Sequence, residues 1–289
     1  MAASRKPPLK NLLKKGHVLI APGVFEGISA RMADRLGFEA LYMTGYGAVA
    51  SHLGAPDAGL ATYSEMVNRV EMIAGNTTTP LIADADTGYG GLLNVERTVR
   101  GYEKAGASAI QLEDQEFPKK CGHTLGRRVI PAEDMAKKIR VAREARDSSD
   151  FLIIARTDAR TTLGIDEALR RGESYAKAGA DVIFVESPES VEEMRRITAS
   201  FEQPCLANMV EGGRTPILSR TELIEVGYRI AIFPAAGFLA TAAALEAVYR
   251  GLKDDGSTKN TETALYPFAE MNKLMGFERV WEFDKRHAE

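Results

Sequence analysis

Two short stretches carry residues able to do chemistry. "IADADTGYGG" holds Asp84 and Asp86 where an apolar run gives way to a glycine-rich turn. "KKCGH" holds Cys121, one of only two cysteines in the chain, between Lys119–Lys120 and His123. Carboxylates at i and i+2 of an extended strand share a face, so Asp84 and Asp86 can address a single ion. Oxygen donors without a neighbouring His/Cys pair suit a hard cation, Mg²⁺ with Mn²⁺ as a substitute. Capping of the following turn by either aspartate is the competing reading. Glu113, ending the next apolar run, weighs toward the ion, because carboxylates gathered on one rim repel unless a cation joins them. Around Cys121, the ammonium groups and imidazole favour thiolate and proton exchange near neutral pH. An ordinary exposed cysteine is the alternative. One Cys and one His make a poor zinc site, and nothing assures that His123 faces the sulfur as a hydrolase base must. Cys205, inside "PCLANM", reads as a small core residue.

The elements that must position these groups repeat one plan. "RLGFEALYMTG", "KAGASAIQLED", "KAGADVIFVES" and "EVGYRIAIFPA" each run from a helix end through a glycine into an apolar strand. Glycine suits such a joint because it takes the left-handed conformation without steric cost. Between them lie "HVLIAPG", "PLIADAD", "FLIIART" and "PCLANM", short apolar runs without strict alternation, as expected of strands buried on both faces. Stretches such as "NVERTVRGYEKAG", "PAEDMAKKIRVAREA" and "IDEALRRGESYAKAG" space their apolar residues as amphipathic helices do. Eight βα units in unbroken series predict a (β/α)₈ TIM-type barrel over residues 1–254, with a doubly wound open sheet as runner-up. Residues 255–289, past the polar "GLKDDGSTKN", hold the only Trp and several aromatics, and form a helical tail that packs on the barrel or on a partner subunit.

Composition narrows the partners. At 45% hydrophobic and 27% charged, the chain has the makeup of a globular protein. A net charge of −3 argues against nucleic acid and for a small molecule. Two cysteines are too few for a disulfide framework, "MAASRKPPLKNLLKKG" lacks a signal peptide's apolar stretch, and no run is long and apolar enough to span a membrane, so the expected setting is the cytoplasm. In a barrel the chemistry belongs at the C-terminal ends of the strands. Those ends read Thr44-Gly45-Tyr46, Asp84 and Asp86, Glu113, Arg156, Glu186, and Asn208 followed by Glu211. The Lys-Lys-Cys-Gly-His loop belongs to the same rim.

Together, "KKCGH", "ADADTGYG", "QLEDQ", "IARTDA" and "ALYMTGYG…LGAPDAG" strongly resemble the isocitrate lyase and phosphoenolpyruvate mutase superfamily, from Leu19 to about Gly251. The resemblance implies a barrel, a homo-oligomer (typically a tetramer, a dimer of dimers) that swaps a C-terminal helix, and Mg²⁺ that binds a 2-oxo acid. It also implies roles. Thr44, Gly45 and Tyr46 resemble the cradle for the 2-oxo acid carboxylate, with Arg156 as its cation. Asp84 and Asp86 match the metal carboxylates, with Glu113 in the outer shell. Asp57 matches a residue close to the reacting centre, and Asn208 and Glu211 a segment holding the second carboxylate. Lys119, Gly122 and His123 are expected to bind substrate beside Cys121, which matches the catalytic acid of the lyase branch, on a loop that closes over substrate. Glu186 and Glu211 are the candidates for the base that takes the C2 hydroxyl proton.

Departures from the pattern bear on substrate. The branch that cleaves 2-methylisocitrate resembles this chain but carries "PLSAFR" after strand eight and "NITEFG" after strand seven. Here these are "PAAGFL", with Leu239 in the arginine's place, and "NMVEGG", with Val210 in the threonine's place. A third substrate carboxylate would lack its partners. The expected reaction is therefore metal-dependent cleavage of a 2,3-dimethylmalate or 2-methylmalate type of diacid to a 2-oxo acid such as pyruvate plus a short carboxylic acid. A 2-methylisocitrate lyase, an oxaloacetate hydrolase or decarboxylase, and a non-catalytic metabolite-binding barrel are the alternatives.

Overall fold

The computed structural model describes residues 7–122 and 126–288, so His123 lies outside the described residues. Eight parallel strands close into a barrel in chain order: β1 (Leu19–Val24), β2 (Leu41–Met43), β3 (Leu81–Asp84), β4 (Ala109–Glu113), β5 (Leu152–Thr157), β6 (Val182–Val185), β7 (Cys205–Asn208) and β8 (Ile230–Phe233), with β8 returning to pair with β1. This is the expected (β/α)₈ fold, and closure excludes the open sheet. The helices are α1 (Gly27–Arg35), α2 (Gly45–Leu53), α3 (Tyr63–Gly75), α4 (Leu92–Lys104), α5 (Ala132–Ala145), α6 (Arg160–Leu163), α7 (Ile165–Ala178), α8 (Val191–Ser200), α9 (Arg220–Val226), α10 (Ala236–Asp255), α11 (Phe268–Met275) and α12 (Phe277–His287). The four glycines of the repeated helix-to-strand joint, Gly37, Gly106, Gly179 and Gly227, all have φ between 79° and 108°, where a side chain would be strained.

Period-two alternation divides the strand residues between two cores. One set, including Leu19, Ala21, Tyr42, Ile82, Leu152, Ile154, Val182, Phe184, Leu206 and Ile230, packs together as the barrel's filling. The other faces the helices: Leu41, Met43, Leu81, Ile110, Ile153 and Ile183 pack with Val70, Val99, Ile139 and Tyr175. Leu9, in a single 3₁₀ turn before β1, is completely buried in the filling, with Leu12 and Leu13 against it. Burying such a leucine contributes about 1.5–3 kcal/mol. The basic N-terminal run thus has a structural use that its charge obscured.

Along the strands, apolar filling gives way to polar groups toward the C-terminal ends. On β5 the inward series runs Leu152, Ile154, Arg156; on β4 it runs Ala109, Gln111, Glu113. Register sets Glu113 beside Arg156 and Asp84 beside Gln111. The chain divides into two compact units, Met1–Gly237 and Phe238–Glu289. That division falls in the first turn of α10. Within the second unit, α11 and α12 contact one another and Phe277 meets Trp281 at a ring separation of 6.0 Å. Among the described residues no helix is long and apolar enough to cross a membrane.

Candidate active site

Asp84 closes β3 and Asp86 follows it, with the Asp86 amide donating to Asp84 Oδ1 at 3.0 Å. Asp86 holds a left-handed φ of 49°, a conformation that aspartate tolerates better than most residues. Gln111 Nε2 donates to the same Asp84 oxygen at 3.2 Å, Tyr42 OH donates to Gln111 Oε1 at 3.0 Å, and Tyr102 OH donates to the Asp84 carbonyl at 3.2 Å. Gln111 and the Asp86 amide thus fix the carboxylate, Tyr42 orients Gln111, and Tyr102 fixes the backbone that carries the carboxylate. Gly45 opens α2, and a Cβ there would come within 2.6 Å of Asp84 Oδ2. Glycine is needed at that point for the helix to begin so close to the carboxylate. The Thr44 side chain makes no capping bond, so this helix N-terminus keeps the character of an anion site.

Arg156 is the electrostatic centre of the opposite side. Its Nε and Nη2 donate to Asp158 at 2.9 and 2.8 Å, Nη2 lies 3.2 Å from Glu186 Oε2, and Nε lies 3.5 Å from Glu113 Oε2. The guanidinium carbon sits 5.1 Å above the Phe184 ring, a cation–π floor for the charge. Burial alone would raise the Asp158 carboxyl. Arg156, with Arg127, more than offsets that and holds it below the usual range. The expected carboxylate-binding arginine is therefore largely engaged within the protein through Nε and Nη2. Glu186, completely buried, accepts from the Ser187 amide at 2.7 Å and from Asn208 Nδ2 at 3.0 Å.

The loop after β4 crosses this rim. The Cys121 amide donates to the Asp57 carbonyl at 3.1 Å, and Ser187 Oγ donates to the Gly122 carbonyl at 3.3 Å. A Cβ at Gly122 would collide with Arg156 Nη2 and lie 2.8 Å from Glu186 Oε2. The residue beside the thiol thus packs directly on the arginine–glutamate pair. Cys121 is partly buried. Lys119, a neighbour of the sulfur in sequence, turns its ammonium into the rim. It is 3% exposed, and its ammonium lies 2.6 Å from Asp57 and 2.7 Å from Asp86. Burial opposes its charge, but Asp86, Glu113 and Asp57 raise its pKa well above the ordinary value. Lys120 is exposed and reaches the Gly126 carbonyl.

Thr44, Gly45, Asp57, Asp84, Asp86, Glu113, Lys119, Cys121, Gly122, Arg156, Glu186 and Asn208 all belong to this rim. Tyr46 is exposed at 41% in the first turn of α2. Glu211 stands exposed in the loop after β7, with no hydrogen bond or ion pair to another described residue. Reading the rim residue by residue missed Tyr42 and Gln111. Each lies two positions from a residue that was found, so the alternation linking Asp84 to Asp86 would have identified them.

Among the described residues no three His, Cys, Asp or Glu side chains converge closely enough to form a ready metal cage. The donors nevertheless fit a hard divalent cation. Glu113 Oε1 is buried with no hydrogen-bond partner among the described residues, and burial raises that carboxyl well above its usual range. Asp86 is raised to about 7 by burial and, despite Lys119, by Asp84 and Asp57. Excess buried negative charge on oxygen-only donors is what such an ion relieves.

The phosphoenolpyruvate phosphomutase family profile matches residues 9–253. The chain is 50% identical over 280 residues to a 2,3-dimethylmalate lyase of Eubacterium barkeri, covering 97% of each chain. It is 45% identical over 281 residues to a 2-methylisocitrate lyase of Aeropyrum pernix, covering 97% of this chain and 89% of that one. An oxaloacetate acetylhydrolase solved with the inhibitor 3,3-difluorooxalacetate superposes with a TM-score of 0.91 at 37% identity, covering 96% of this chain and 95% of that one. With such matches along nearly its whole length, the chain belongs to the phosphoenolpyruvate mutase/isocitrate lyase superfamily.

Proposed function

We propose that the protein is a carbon–carbon lyase that cleaves a 2-alkyl-substituted malate, of the 2,3-dimethylmalate or 2-methylmalate type, into a 2-oxo acid and a short carboxylic acid. The observation that carries this reading is the seating of Gly122 on Arg156 and Glu186, which brings a thiol-bearing loop over a paired guanidinium and carboxylate. Asp84 and Asp86 would hold Mg²⁺, or Mn²⁺ in its place, with Glu113 as a further carboxylate of the site. When bound, the ion supplies Lewis-acid stabilisation of negative charge on oxygen. The α2 N-terminus at Thr44–Tyr46 and Arg156 receive the carboxylate of the 2-oxo half. Glu186, beside Arg156 and beneath Gly122, takes the C2 hydroxyl proton. As the C2–C3 bond breaks, its electron pair stays on C3, and Cys121 delivers a proton there. Lys119 bridges Asp57 and Asp86 and so ties the loop to the metal side of the rim.

A substrate panel tests this. Mg²⁺ with 2-alkylmalates, 2-methylisocitrate, isocitrate and oxaloacetate is scored for 2-oxo acid and carboxylic acid release, with alkylmalates expected to turn over fastest. Preference for 2-methylisocitrate or hydrolysis of oxaloacetate would replace the substrate assignment. Silence across the panel favours a binding role. Gly122→Ala is expected to lower kcat/KM roughly 100-fold, because misseating at a reacting centre costs about that much, while the unfolding midpoint stays near wild type. Wild-type turnover in that variant removes the carrying observation.

Homo-oligomerisation belongs to the same reading. Phe268, Phe277, Trp281 and Phe283 are 43–80% exposed in the second unit, an apolar surface that a second copy would cover. Sedimentation at micromolar concentration is expected to give a multiple of 31.5 kDa. A monomer at every concentration overturns it.

A further inference from the structure

The loop from β4 to α5 leaves the barrel on a stem that satisfies its own backbone. The Ile130 amide donates to the Asp114 carbonyl and the Glu116 amide to the Arg128 carbonyl, both at 2.8 Å, and Gln115 opposes Val129 as an antiparallel bridge. Arg128 Nε adds a 2.7 Å bond to the Glu116 carboxylate. The Gln115 side chain is therefore not needed to close the stem, yet the residue is only 1% exposed. It turns into the loop and makes the two bonds a neighbouring strand would make. Its Oε1 accepts from the Lys120 amide at 3.0 Å, and its Nε2 donates to the Lys120 carbonyl at 2.8 Å. A primary amide presents the same carbonyl and N–H groups as a peptide unit, so Gln115 supplies one extra rung.

The pinned residue lies between the two that matter. Lys119, on one side, sends its ammonium down to Asp57 and Asp86. Cys121, on the other, carries the thiol, and its own amide is bonded to the Asp57 carbonyl. We infer that Gln115 is a positioning residue: its amide clamps the Lys120 backbone so that the Lys119 ammonium and the Cys121 thiol are delivered to the rim together. The functional weight of this inference rests on Cys121 acting as the proposed acid, whereas the clamp itself does not.

The test therefore separates the two. Full-length wild type, Gln115→Met and Gln115→Asn are treated with iodoacetamide without substrate, and Cys121 alkylation is followed by peptide mass, which distinguishes it from buried Cys205. Methionine keeps the length without the amide; asparagine keeps the amide one methylene short. Loss of two neutral hydrogen bonds is expected to accelerate Cys121 alkylation roughly 30-fold without exposing Cys205. On a cleaved substrate, kcat falls while the Kd for pyruvate is retained. Alkylation at the wild-type rate in a folded variant overturns the clamp, whatever the activity. Acceleration in a protein that cleaves nothing on the panel keeps the clamp and discards the lyase reading. Should Gln115→Met fail to fold, Gln115→Asn gives the same comparison.

Discussion

Cys121→Ser is expected to lower kcat/KM for the cleaved substrate by about 10²–10⁴, the usual contribution of a positioned general acid, while pyruvate binding in the presence of Mg²⁺ survives. The substitution changes one atom of similar shape, and a hydroxyl is a far weaker acid than a thiol. The Cys121 amide bond to the Asp57 carbonyl and the seating of Gly122 are backbone features that serine retains. The loss should therefore appear in kcat. Initial rates and a pyruvate titration on the same preparation check it. A serine variant that turns over like wild type removes Cys121 as the acid, and a variant that also loses pyruvate makes the thiol a binding group instead.

Arg156→Ala is expected to cost stability as well as activity. Its guanidinium neutralises Asp158, Glu186 and Glu113, all at most 1% exposed. Breaking one buried ion pair by removing a single partner costs about 3–5 kcal/mol, a large share of the ~5–15 kcal/mol typical of a folded protein. Urea unfolding should show a lowered midpoint, and no 2-oxo acid release should be detectable. Arg156→Lys separates charge from geometry. A lysine restores a cation but cannot reproduce the fork that bonds Asp158 through Nε and Nη2. Stability should recover in part, activity hardly at all. If alanine unfolds at the wild-type midpoint, the three carboxylates do not depend on this cation.

Much of the candidate site was legible because the relevant signals are local. Asp84 and Asp86 were found by period-two spacing at the end of an apolar run, and the structure puts both on the barrel rim. Arg156 and Glu186 were found as polar residues at the C-terminal ends of two apolar strand runs. Lys119 was not readable. Two neighbours in "KKCGH" look alike in the sequence, yet Lys119 is buried against Asp57, 62 residues earlier, while Lys120 remains in solvent. Gln115 had no role in the sequence beyond closing "QLEDQ", because its partner is the Lys120 backbone and no side-chain pattern announces such a bond. Glu211 is the converse case: a carboxylate in a suggestive motif that stands exposed with no hydrogen bond or ion pair to another described residue.

By itself the sequence determined the alternation of strands and helices, the left-handed glycines that end helices, and the inward period that lifts polar residues to one end of each strand. These depend on sterics and hydrophobicity over a few residues. Only the tertiary structure decided which charges pair, that Leu9 fills the barrel, and that Gly122 lies against Arg156 and Glu186. Such contacts join segments far apart in the chain, and their partners are selected by how the closed barrel brings its eight strand ends around one axis.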